Sequence, residues 1–262
     1  VGKIFAIVNQ KGGVGKTTTA INLGAACAAL EMRVLLVDCD PQGNATRGVG
    51  LDAEAPHLYH LLIGQPGADP ADAIVRSDFP HLDVLPAGRD LVGIEVEFVG
   101  MDGWLTRLRE IVEQVRDRYD LILLDCPPSL GHLTIAALTA SDGVLVPVQC
   151  EYFALEGISA LVETIERVRG HHPTLELSGI IVTMYDDRTN LSRDVAGELV
   201  RVFPDQVFES FIPRNVRLAE APSHGMPILQ YDLASRGAQA YLKLARELAE
   251  RVRSSATEEV LA

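Results

Sequence analysis

One stretch restricts this chain more than any other: Gln10-Lys11-Gly12-Gly13-Val14-Gly15-Lys16-Thr17-Thr18. An apolar run at residues 4–8 precedes it, and a helical pattern over residues 18–30 follows it. Strand, glycine-rich loop and helix, in that order, is the setting in which a phosphate-binding loop works. Glycines lack a Cβ, so backbone N–H groups can curl closely around an anion. The helix start adds unpaired donors and the positive end of its dipole. Lys16 then stands where an ammonium reaches β- and γ-phosphates, and the Thr17 hydroxyl where it can ligate Mg2+. Lys11, Gly12, Gly13, Val14, Gly15 and Thr18 complete the candidate cradle.

The usual loop carries glycine six residues before its lysine. Here that residue is Gln10, and a second lysine, Lys11, opens the loop instead. The chain has 23 basic residues, and only Lys3, Lys11, Lys16 and Lys243 are lysine. Two of these four fall within six residues of one loop. A compact ammonium fits between phosphate oxygens where a planar guanidinium fits poorly. Lys11 therefore has a chemical role in this reading. Spacing leaves two forms of it open: contact with its own nucleotide, or reach toward the phosphates of a second subunit.

Apolar runs set the rest of the fold. Residues 33–38 and 120–125 are continuously apolar until an acid ends each, and 143–148 and 177–184 follow the same style. Continuous rather than alternating apolar character indicates burial on both faces, as in a parallel sheet. Helical patterns at 103–118, 131–140, 154–170, 190–203 and 234–252 alternate with these strands. Short strands are expected at 82–85 and 206–212. Residues 52–80 are broken by Pro56, Pro66, Pro70 and Pro80. The pattern predicts a single α/β domain, a doubly wound, mostly parallel sheet with helices on both faces. The domain should span residues 1–253, with 254–262 as a polar tail. Ligands in such folds sit at the carboxyl ends of the strands.

Composition narrows the partners. A net charge of −13 makes the whole molecule repel polyanions, so any nucleic-acid surface must be local. Screening permits that, with a Debye length of about 8 Å at physiological salt. Cys27, Cys39, Cys126 and Cys150 are widely spaced and have no metal-knuckle pattern. We therefore expect buried reduced thiols in a cytoplasmic protein. No apolar run reaches 18 residues, and the N-terminal run is too short for a signal peptide.

The strand-end acids supply the remaining chemistry. Mg2+ takes hard oxygen ligands, usually one or two carboxylates, water and the phosphates themselves. Asp125 ends an apolar strand in the Walker B arrangement and is the candidate Mg2+-associated acid. Asp38 and Asp40 lie two apart at another strand end and so face the same side. One is expected to support Mg2+ or the loop, the other to orient the attacking water. Asp40, farther out and before Pro41, is assigned to the water. The candidate metal set is Thr17, Asp40 and Asp125, and the candidate catalytic set Lys11, Lys16 and Asp40.

At these residues the sequence closely resembles the ParA/Soj chromosome- and plasmid-partition ATPases. They belong to the deviant Walker A group, which includes MinD and the nitrogenase iron protein. The matching stretches are 9–22, 34–46, 119–129, 147–157, 183–192, 212–222 and 231–237. The runs at 150–157 (CEYFALEG) and 212–222 (IPRNVRLAEAP) resemble the Soj branch in particular.

The resemblance implies an ATP-dependent homodimer with nucleotide sandwiched between subunits. Lys11 would then act in trans, Asp40 would be needed for hydrolysis, and Asp125 would accompany Mg2+. Pro213, Arg214 and Asn215 would lie beside adenine. Arg188 and Arg217 would contact double-stranded DNA without sequence preference, which implies association with the nucleoid. Basal turnover would be weak, and a ParB-like protein would stimulate it.

Other readings of the group fit less well. A MinD-like membrane cycle needs a basic amphipathic C-terminal helix. The end here, SSATEEVLA, is acidic, so no membrane partner is expected. Cys126 lies in a stiff Cys-Pro-Pro run unlike the iron protein's glycine-flanked cluster ligand. No Asn-Lys-X-Asp guanine-reading motif is present. A ParA-like protein that positions a plasmid or a chemoreceptor array would share all of this chemistry.

Overall fold

The computed structural model describes residues 2–54, 56–152 and 154–261, with side-chain surroundings given as far as residue 253. The order is β1 (Lys3–Ile7), α1 (Lys16–Ala28), β2 (Val34–Asp38), α2 (Asn44–Gly48), α3 (Leu58–Leu62), α4 (Pro70–Ala73), β3 (Val75–Arg76) and β4 (Leu82–Leu85). Next come α5 (Ile94–Glu97), α6 (Trp104–Glu113), β5 (Leu121–Asp125), α7 (His132–Ala140), β6 (Gly143–Gln149), α8 (Ala154–Arg169) and β7 (Glu176–Thr183). The chain closes with α9 (Asn190–Val202), α10 (Val216–Glu220), α11 (Ile228–Tyr231) and α12 (Arg236–Leu261).

The seven strands form one sheet in the order β3-β4-β2-β5-β1-β6-β7. Each neighbouring pair is parallel except β3 with β4. Strand alternation sends Ile4, Ala6, Leu35, Val37, Ile122 and Leu124 into one core, together with residues of α6, α7, α8 and α9. Phe5, Ile7, Val34, Leu36, Leu121 and Leu123 enter a second core under α1 and α12. Two cores on two faces are what a continuously apolar strand requires. Each fully buried leucine contributes roughly 1.5–3 kcal/mol. The doubly wound, mostly parallel sheet expected from the sequence is thus the observed fold.

Parallel pairing gathers every strand's carboxyl end at one edge. Register then aligns the acids: Asp125 lies beside Ile7 on one side and Asp38 on the other. The phosphate loop leaves the end of β1, which lies between β5 and β6. Its entry into α1 passes through Gly15 at φ 89°, a left-handed conformation that costs an L-residue about 1–2 kcal/mol. α1 itself is buried almost all round, with Gly24 facing Leu82 and Leu123 of the sheet.

Three sequence expectations need correction. No strand forms at 206–212. Val207 makes an isolated bridge to Ile180, Pro213 makes another to Tyr185, and the residues between do not sustain the ladder. The helix over 103–118 stops at Glu113, and Arg116–Arg118 form a separate 3-10 turn after Val115 leaves helical geometry at φ −116°. The final helix does not give way to a tail at 254. It continues to Leu261, since residues 253–261 hold neither glycine nor proline to end it. No described helix is long and apolar enough to cross a membrane.

Candidate nucleotide site

The loop's two lysines have opposite surroundings. Lys16 is 7% exposed, and its Nζ donates to the Lys11 carbonyl at 3.1 Å. Burial lowers its pKa, and the nearby Asp125, Cys126 and Asp40 oppose that shift. The Lys11 side chain is 51% exposed and pairs with Glu151, beyond the end of β6. Asn9 holds the loop's start. Its Nδ2 donates to the Pro147 carbonyl at 2.8 Å, and its Oδ1 accepts from the Lys11 N–H at 2.9 Å. Thr183 fixes the far side by donating its hydroxyl to the Val14 carbonyl at 2.8 Å.

Asp125 is fully buried, and neither carboxylate oxygen has a hydrogen bond of ordinary geometry among the described residues. Burial raises its pKa well above the usual carboxylate range. The charge of Asp38 adds to that, while the neighbouring Thr17 hydroxyl opposes it, and Asp40 and Lys16 act more weakly in opposite senses. An orphaned buried carboxylate beside a phosphate loop and the Thr17 hydroxyl fits the donor chemistry of a hard cation.

Asp38 and Asp40 differ in what they bond. Asp38 Oδ2 accepts the Thr46 N–H at 2.8 Å and the Thr46 hydroxyl at 2.7 Å. Asp38 Oδ1 accepts the Asp40 N–H at 3.2 Å. Burial pushes Asp38 up to about 6, against these stabilising bonds. Asp38 therefore shapes the loop. Asp40 accepts the Gln42 N–H at 2.9 Å and lies near enough to Lys16 and Asp125 to act on both charges.

Behind the cradle lies a cavity of about 350 Å³ lined by Gly15, Thr18, Met184, Pro213, Arg214 and Asn215 among others. Met184 turns the chain into its rim with φ 50°, which is uncommon outside glycine. The residues brought together are thus Lys11 to Thr18, Asp40, Asp125 and the segment from Pro213 to Asn215. Arg188 and Arg217 stand outside this group. Arg188 is 83% exposed and forks onto Asp186 at 2.8 and 2.7 Å. Arg217 bonds Glu220 at 2.9 Å and approaches Asp232 at 3.5 Å.

Reasoning from sequence left four supporting residues without roles: Asn9, Asn22, Thr183 and Tyr241. Asn22 Oδ1 accepts the Ile228 N–H at 2.6 Å, and Thr19 shares a 3.1 Å bond with Tyr241. A polar residue within the apolar stretch of α1 was the available signal for Asn22.

Similarity to known proteins shows the family. The family model AAA_31, described as an AAA domain, matches residues 2–177. The Bacillus subtilis sporulation initiation inhibitor protein Soj is 53% identical over 252 residues, covering 95% of this chain and 99% of that protein. The Caulobacter vibrioides chromosome partitioning protein ParA is 52% identical over 256 residues, covering 96% and 95%. Among solved structures, a Mycobacterium smegmatis protein named cobyrinic acid a,c-diamide synthase, with bound ADP and magnesium, superposes with TM-score 0.84. It is 36% identical, and the match covers 97% of each chain. By fold, by phosphate loop and by identity across nearly its full length, this chain belongs to the ParA/Soj family of chromosome-partitioning ATPases.

Proposed function

We propose that this ATPase works as an ATP-switched homodimer that binds double-stranded DNA and is released by hydrolysis. The observation that carries the reading is the contrast between the two loop lysines. Lys16 is turned into the cradle, whereas Lys11 stands at its exposed rim on Glu151. A rim lysine is free to serve a facing subunit once it leaves Glu151. The inward lysine serves its own nucleotide.

The cradle N–H groups and Lys16 hold the β- and γ-phosphates of ATP, and the cavity beside Pro213, Arg214 and Asn215 takes adenine. Thr17 and Asp125 would hold Mg2+, with Asp40 close by, and the unsatisfied Asp125 oxygens suit that part. When bound, Mg2+ neutralises phosphate charge, which is most of what phosphoryl transfer asks of a protein. Asp40 orients the attacking water, and Lys11 from the facing subunit adds charge at the phosphates. A lone subunit lacks that lysine, so basal turnover is slow. Arg188 and Arg217 contact DNA phosphates, which places the dimer on the nucleoid. A basic ParB-like segment suits a chain of net charge −13 and would accelerate hydrolysis.

The test is Asp40→Ala. This variant should bind ATP as the parent does and lose turnover by at least ~100-fold. It should size as a dimer with ATP and bind unrelated duplexes equally, while ADP abolishes both. Parental turnover would make Asp40 a turn residue. DNA affinity indifferent to ATP would remove the partition reading.

A further inference from the structure

We propose that His57, His60 and Asp90 form a binding site for a divalent transition-metal ion of the zinc type, outside the nucleotide site. One ligating atom from each of the three residues lies within 4.8 Å of the others. His57 caps α3 and His60 follows three residues later in its first turn, which brings their side chains together. Their ring centroids are 4.3 Å apart. Asp90 arrives from the loop after β4, with its Oδ1 3.4 Å from His57 Nε2.

Two further observations point to a ligand. His57 is only 5% exposed, and its Nδ1 has no hydrogen-bond partner among the described residues. A buried polar group in that condition needs an explanation. Space has also been made for the ring. A Cβ on residue 88 would stand 2.2 Å from His57 Nε2 and 2.6 Å from Asp90 Oδ1, so Gly88 is what admits both groups.

The donor set selects the ion. Two imidazoles and one carboxylate suit Zn2+ and its first-row neighbours, whereas Mg2+ prefers all-oxygen shells. The His57 N–H reaches His60 Nδ1 at 3.3 Å, a long contact that gives way easily. Asp90 is 45% exposed and leaves the site open to solvent.

Position gives the site a consequence. The Leu58 N–H donates to the Pro86 carbonyl at 3.1 Å, which ties α3 to the loop before Asp90. In that loop the Ala87 N–H donates to Thr46 Oγ1 at 3.2 Å, and the Thr46 hydroxyl donates to Asp38. An ion joining His57 and His60 to Asp90 therefore staples the segment that braces the loop carrying Asp40.

The experiment titrates untagged full-length protein with Zn2+ by calorimetry, in excess Mg2+ to occupy oxygen-rich sites, and with Co2+ by visible absorption. We expect one saturable Zn2+ per chain, a raised melting temperature, and a Co2+ spectrum without thiolate charge transfer. His60→Ala and Asp90→Asn should each weaken Zn2+ beyond the ~10–100-fold lost when only an outer partner of a metal ligand is removed. Their melting temperatures without Zn2+ and their ATP affinity control for folding. No saturable Zn2+ in the parent, unchanged affinity in both variants, or a thiolate-dominated Co2+ spectrum would each overturn the site. The histidines would then only close the first turn of α3.

Discussion

Lys11 and Lys16 are separated by five positions and end on opposite sides of one loop, the first paired with Glu151 and the second bonded to the Lys11 carbonyl. That arrangement gives each ammonium a separate counter-charge to find. Asp125 has the reverse problem, a buried carboxylate with nothing to neutralise it fully. Its raised pKa means that the fold disfavours its ionised form. Asp125→Asn should therefore leave thermal stability without nucleotide unchanged or higher. The same variant should lose most of the protection that Mg2+ and ATP give the parent. At a ligand concentration of 100 Kd that protection is about 2.7 kcal/mol. Thermal melts of both proteins, with and without nucleotide, measure it. A variant as well protected as the parent would remove Asp125 from the metal set.

Residue roles were unequally legible in the sequence. Asp125 could be singled out because it ends a continuous apolar run, and Asp40 because it lies two residues beyond the end of another, before Pro41. What Asp38 does was not legible, since only the bonds from Thr46, eight residues on, show that it shapes the loop. His57 and His60 carried no signal, because Asp90 joins them only through the fold.

At the scale of elements, α1 and α12 form the main helical contact on their face of the sheet. Tyr241 and Thr19 meet there in a bond that both residues bury. Tyr241→Phe keeps the ring and removes the hydroxyl, leaving the Thr19 hydroxyl without its partner. It should cost about 1–3 kcal/mol in urea unfolding, while ATP affinity falls little. A cost under about 0.5 kcal/mol would mean that this bond does not couple the helices. The strands β1, β2, β5 and β6 were readable because burial on both faces demands unbroken apolar runs. β3 was not, being two exposed residues at the sheet's edge. The 206–212 segment reads as a strand by composition, yet tertiary bonds on only some of its residues hold it beside β7. The cavity behind the phosphate loop escaped periodicity altogether. Its walls come from positions as distant as Thr18, Met184, Asn215 and Tyr241.

For the whole molecule, a net charge of −13 sets the terms of the proposed DNA binding. Arg188 and Arg217 begin in ion pairs with Asp186 and with Glu220, so contact exchanges a carboxylate for a phosphate. If each arginine neutralises one phosphate, a monomer offers about two contacts and a dimer about four. Slopes of log K against log salt are then roughly −1.8 and −3.6. Between about 50 and 200 mM salt the dimer should lose roughly 150-fold in affinity, and a monomer about 12-fold. Arg188→Ala or Arg217→Ala should weaken all sequences alike and flatten the slope, with dimerisation intact. Unchanged affinity and slope in both variants would place the basic surface elsewhere, with Arg193, Arg236 and Arg246 the next to test.

In the proposed dimer, two subunits complete each other's site through Lys11. Mixed dimers test it most directly. One subunit carries Lys11→Ala and still binds ATP; the other carries Lys16→Ala, binds no ATP and still offers Lys11. Neither alone should turn over ATP. Differently tagged and purified as a pair, they should regain hydrolysis at the one intact composite site. Isolated mixed dimers that remain as inactive as either parent variant would contradict action in trans.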